Sequence, residues 1–129
     1  MKKSMILGIA LTLGLNAVEM HGRPMLEATP FVQAKSVVGK GKPVLFEVGS
    51  DSCRSCRTMG KRLYALSKEH PGYLIRFINV KKEREAATAL KVMMIPTQIF
   101  FDGNGKEVYR HVGILENTEL DMLLKKYQF

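Results

Sequence analysis

The sequence predicts an α/β fold with a mixed four-stranded sheet flanked by helices, and three observations carry that reading. Short β-type apolar runs alternate with segments of helical period, and the last two runs are separated only by the turn signal Asp102-Gly103-Asn104-Gly105. A composition of 46% hydrophobic and 25% charged residues, without a low-complexity tract, suits 129 residues to a single core. A strand–helix–strand unit needs a parallel, right-handed crossover, whereas a tight hairpin is antiparallel, so a sheet holding both is mixed. No internal repeat or second domain is visible.

In chain order, residues 18–30 contain Pro24 and Pro30, show no period and read as a linker. From Phe31, the residues Phe31, Ala34, Val37 and Val38 fall at helical spacing until Gly39-Lys40-Gly41-Lys42-Pro43 ends the helix. Val44-Leu45-Phe46-Glu47-Val48 is a buried-type strand interrupted by one acid, and Gly49-Ser50-Asp51-Ser52 is the turn after it. Met59, Leu63 and Leu66 give the next helix an apolar face, with Arg57, Lys61, Arg62 and Lys68 outward, until His70-Pro71-Gly72 stops it. The second strand spans Tyr73 to Val80, and a charged helix from about Lys82 to Val92 turns Ala86, Ala89 and Leu90 inward. Thr97 to Phe101 and Glu107 to Val112 form the hairpin. A last helix, capped by Asn117 or Thr118, presents Leu120, Leu123, Leu124 and Tyr127 to the core.

The chain has two cysteines, and they stand together as Cys53-Arg54-Ser55-Cys56 at the head of the second helix. That spacing brings two sulfurs close enough to switch between dithiol and disulfide. A structural staple is a poor use of such a pair, because loop closure stabilises least when the loop is short. Zinc would need four ligands, and the other strong candidates, His21, His70 and His111, repeat no ligand spacing. The formal charge of +8 is scattered among acids, with no basic run interleaved with aromatics, so nucleic acid is not an expected partner.

Residues 43–127 resemble the thioredoxin superfamily. The matching features are the strand ending just before Cys53-Arg54-Ser55-Cys56, the sequence Ile95-Pro96-Thr97 about 40 residues later, the hairpin, Gly113 and the carboxy-terminal helix. The resemblance implies that Cys53 is the attacking thiolate and Cys56 the resolving thiol. A helix amino terminus favours such an anion, and Arg54 and Arg57 are expected to lower its pKa further. It implies that Glu47, six residues before Cys53, assists proton transfer at Cys56. Flanked by Phe46 and Val48, Glu47 reads alternatively as an outward residue paired with a lysine, and alternation alone leaves both open. Pro96 matches the family's cis-proline, with Ile95 offering its backbone to an extended substrate; an ordinary trans-proline opening a strand also suits the local sequence. No cofactor is implied beyond the redox-active Cys53–Cys56 disulfide, and no metal.

Two departures mark this chain. Ser52 stands where the family usually has Trp, and Arg54-Ser55 replaces Gly-Pro between the cysteines. The amino terminus reads as an export signal: Lys2 and Lys3 precede the apolar run Met5 to Leu15, with cleavage expected after Ala17. Leu15 is large for the position three before the cut, so an uncleaved anchor or a buried amphipathic helix is the alternative. The expected division is a signal peptide over 1–17, a linker over 18–30 and a thioredoxin-like domain over 31–129. Cleavage would remove two lysines and no acids, leaving a net charge of +6.

Together these readings predict an exported thiol–disulfide oxidoreductase, in the periplasm or otherwise outside the cytoplasm. It would be a monomer acting on protein thiols or disulfides and supplied by an upstream electron donor such as a membrane thiol reductase. The short stretch between Cys56 and Pro96 leaves no room for an inserted helical domain, which argues against the larger disulfide-forming oxidases. A disulfide-donating oxidase and a binding module without turnover are the rival readings.

Overall fold

The structure, a computed structural model, describes residues 24–129. The expected signal peptide at 1–17 and the first part of the expected linker lie outside the described residues. Elements follow in the order α1 (Phe31–Ser36), β1 (Val44–Gly49), α2 (Arg54–Glu69), β2 (Leu74–Asn79), α3 (Arg84–Ala89), β3 (Thr97–Phe101), β4 (Glu107–Val112) and α4 (Asn117–Lys126). The sheet order is β2-β1-β3-β4, with β1 parallel to β2 and antiparallel to β3, and β3 antiparallel to β4. The sheet is therefore mixed and four-stranded, as the sequence predicts.

Both faces of β1 are covered, which is why its sequence lacks alternation. Leu45, Ile75 and Phe100 pack with Met59 and Leu63 of α2 and Leu120 and Leu123 of α4. Val44, Phe46, Val48, Ile78 and Ile99 pack on the other side with Phe31 and Ala34 of α1 and Ala86 of α3. Odd-numbered β1 positions thus face α2 and even-numbered ones face α1 and α3. No helix among the described residues is long and apolar enough to cross a membrane.

Three details differ from the sequence expectation. Residues 24–30 do not run free: Ala28 bridges Phe77, Thr29 N–H donates to the Phe77 carbonyl at 2.7 Å, and Leu26 N–H donates to Gly60 O at 3.1 Å. Gly60, inside α2, is what admits Met25, since a Cβ there would stand 2.7 Å from the Met25 methyl. The helix expected over Lys82 to Val92 is only Arg84–Ala89, because Lys91 adopts φ 55° and turns the chain out. The position before α4 is Glu116, with no side-chain cap bond, so neither Asn117 nor Thr118 caps the helix. Arg62 secures this junction by donating to the Leu115 carbonyl and pairing with Glu116 at 3.6 Å.

The two glycine-rich loops meet. Gly41 N–H donates to Gly103 O at 2.9 Å, and a Cβ on Gly103 would stand 2.9 Å from the Gly41 carbonyl oxygen. The stop signal after α1 and the hairpin turn are therefore one packed corner at the end of the sheet away from the cysteines.

Candidate active site

Cys53 occupies the amino-terminal cap position of α2, in extended backbone at φ −94° and ψ 125°. Its sulfur accepts a hydrogen bond from the Cys56 backbone N–H at 3.4 Å and lies 3.4 Å from Ser55 Oγ. Both cysteines are free thiols; Cys53 is partly exposed and Cys56 is buried. Partial burial pushes the Cys53 thiol up, but the bonds from Cys56 and Ser55 outweigh it and the pKa falls below the usual thiol value. These hydrogen bonds are the leading causes of the lowering, and Arg57 turns Nη1 to the Asp51 carbonyl at 3.3 Å.

Cys56, in the first turn of the helix, sits over β1. A Cβ on Gly49 would stand 3.1 Å from the Cys56 sulfur, so the absent side chain makes the space in which this thiol lies. Burial first, then the bond with Cys53, pushes its pKa up to about 12, with a Ser50 backbone N–H opposing and the nearby Cys53 and Glu47 charges adding. The two thiols thus diverge: one favours the anion at the surface, the other holds its proton in the interior.

Glu47 is fully buried on the α2 side of β1, in one cross-sheet row with Phe77, Gln98 and His111. The alternative of an outward residue paired with a lysine is excluded by this placement. Gln98 Nε2 donates to Glu47 Oε2 at 3.0 Å, while Glu47 Oε1 and Gln98 Oε1 are sealed from solvent without a partner. Desolvation raises the carboxyl to about 8; the Gln98 bond pulls it down and the Cys53 charge pushes it up.

The Ile95–Pro96 peptide is cis. Pairing of Val48 with Thr97 brings Pro96 to the end of β1 from which the cysteine loop departs. Pro96 O accepts from Gly113 N–H at 2.8 Å, and Thr97 Oγ1 donates to Met94 O at 2.6 Å, so the loop is held from both sides. Arg110 donates to the carbonyls of Leu90 and Lys91 and fixes the start of this segment. Ile95 is 36% exposed, beside exposed Met93 and Met94.

The fold therefore gathers Cys53, Cys56, Glu47, Ile95 and Pro96 at one end of the sheet. Sequence reasoning passed over Gln98, Gly49 and a polar loop in which Lys81 Nζ donates to Ser52 Oγ at 3.0 Å and Ser52 Oγ meets Ser50 Oγ at 2.9 Å. Gln98 alone had a signal: it is a polar residue inside Ile-Phe-Phe strand sequence, as Glu47 is in its own strand. Of the histidines weighed for zinc, His70 stacks on Tyr73, His111 Nε2 lies 3.1 Å from Ile114 O, and His21 lies outside the described residues. Among the described residues, no three His, Cys, Asp or Glu side chains are placed to share a metal ion.

Residues 30–128 match the family described as a thioredoxin-like domain. The chain is 33% identical over 85 residues to thioredoxin of Chlamydia trachomatis, spanning 66% of this chain and 82% of that one. It is 28% identical over 91 residues to mitochondrial thioredoxin of Mus musculus, spanning 70% and 54%. Among solved structures, Fasciola hepatica thioredoxin superposes with a TM-score of 0.62 at 29% identity, covering 69% of this chain and 84% of that one. A mutant thioredoxin from Halobacterium salinarum gives a TM-score of 0.69 at 22% identity, covering 79% and 88%, and supports the fold alone.

Proposed function

Because the chain belongs to the thioredoxin-like family of thiol–disulfide oxidoreductases, we propose that it acts outside the cytoplasm as a reductant or isomerising partner for cysteines of other proteins. The observation that supports this most is the divergence of the two thiols across one helical turn. A nucleophile must be thiolate and accessible, whereas a resolving thiol must stay protonated until a mixed disulfide has formed beside it.

The Cys53 thiolate attacks one sulfur of the target disulfide, forming a mixed disulfide and releasing the other target sulfur as a thiolate that takes up a proton from water. The Cys56 thiol then passes its proton to the Glu47 carboxylate, and its thiolate attacks the Cys53 sulfur. The Cys53–Cys56 disulfide forms and the second target thiolate leaves. Two electrons have passed to the target, and an upstream dithiol must return two to the pair. Ile95, beside the buried Pro96, lines the approach, its backbone receiving an extended target segment.

The reductant direction draws support from the compact connection between α2 and β3, which holds only β2 and the short α3. Export draws support from Lys2, Lys3 and the apolar run that follows. The test is disulfide reduction in insulin together with the potential of the Cys53–Cys56 couple. Cys53→Ser is expected to abolish turnover, and Cys56→Ser to accumulate a mixed disulfide visible on a non-reducing gel. A couple more oxidising than its targets would reverse the direction, and absence of turnover in the wild type would leave a binding module.

A further inference from the structure

Gln98 and Glu47 are direct cross-strand partners, both fully buried, and one bond joins them at 3.0 Å between Nε2 and Oε2. The remaining oxygen of each side chain is an acceptor with no partner. An unmatched buried acceptor is costly, and two of them in one pair need an explanation. The one bond that is made holds Oε2, and Oε1 is the carboxyl oxygen left free to take up a proton. We propose that Gln98 is a positioning residue for the active site, a neutral amide that fixes Oε2 of Glu47 and leaves Oε1 as the single oxygen that takes up and returns the proton of Cys56.

This rests on the proton-transfer role proposed above for Glu47. The proton balance is closed: Cys56–SH becomes thiolate as Glu47 carboxylate becomes acid, and the acid returns its proton when the pair is reduced again. The ionisable group acting on Glu47 is Cys53 at the cap of α2, and Glu47 in turn acts on Cys56 in the first turn of that helix. Phe77 on β2 and Gln98 on β3 carry no charge, and His111 on β4 follows Gln98 in the same row. No lysine or arginine stands in this row, and the hydrogen bond to Glu47 comes from the neutral amide of Gln98.

The experiment is single-turnover reaction of the reduced protein with an aromatic disulfide whose thiolate is coloured. The first thiolate released reports attack by Cys53 and the second reports resolution by Cys56. In the wild type the second phase is expected to rise with pH to an inflection near the Glu47 value of about 8. The amide N–H bond favours the anion, so Gln98→Leu is expected to move the inflection up by about one unit and slow the second phase at pH 7 about tenfold, leaving the first phase unchanged. Gln98→Met, of similar length, carries the same expectation should the leucine variant fold poorly. In a Glu47→Gln background, Gln98→Leu is expected to have no further effect on the second phase. In the infrared, the carboxylic acid C=O band assigned by its loss in Glu47→Gln is expected to shift in Gln98→Leu. An unmoved inflection and band, or an equal slowing by Gln98→Leu with Glu47 already replaced, would overturn the proposal. If Glu47→Gln itself leaves the second phase unchanged, the failure belongs to the role of Glu47 instead.

Discussion

Replacing Glu47 with glutamine tests the burial of the carboxyl without invoking turnover. Burial pushes its carboxyl up to about 8 in the folded protein from an ordinary 4.5. At about 1.4 kcal/mol per unit, this is up to about 5 kcal/mol. The sign follows from the folded state holding its proton more tightly than the unfolded chain. Stability is full below pH 4.5 and falls as the unfolded state ionises, until the folded carboxyl ionises too near pH 8. An amide at this position cannot ionise, so Glu47→Gln is expected to match the parent near pH 4 and to exceed it by several kcal/mol at pH 8. Urea unfolding in a background with Cys53→Ser and Cys56→Ser removes the thiol titrations from the comparison. A stability difference that is flat between pH 4 and pH 9 would refute the reasoning, because it would mean that Glu47 ionises as an exposed carboxyl does.

Three further outcomes are expected. In mildly acidic solution an alkylating agent should label Cys53 well ahead of Cys56, since one thiol is lowered and the other raised; equal labelling would count against the division of labour. Gly49→Ala places a Cβ 3.1 Å from the Cys56 sulfur and is expected to cost about 1–3 kcal/mol in urea unfolding. It should also lengthen the life of the mixed disulfide, and an unaltered lifetime would separate Gly49 from the site. Leu63→Ala, in the core beneath α2, is expected to cost about 2–5 kcal/mol while leaving the pH dependence of Cys53 labelling in place.

Periodicity, turn glycines and a Cys-x-x-Cys at a helix start are local signals, so the order of the elements, the hairpin and the position of the cysteine pair were legible in the chain itself. Phe31–Ser36, Thr97–Phe101 and Glu107–Val112 lie where spacing and turn chemistry put them. Which face of β1 carries Glu47 was settled by long-range packing. A strand covered on both sides is apolar on both sides, so Phe46 and Val48 said nothing about direction, and the answer came from α2 packing over Leu45, Glu47 and Gly49. The same holds for Gln98, whose meaning depends on register with a strand 51 residues away, and for Gly49, which reads as turn chemistry until a sulfur is found 3.1 Å from its missing side chain. Residue types fix what chemistry is available; the folded chain fixes which of those residues lose water together, and it is the shared loss of water that sets their proton affinities.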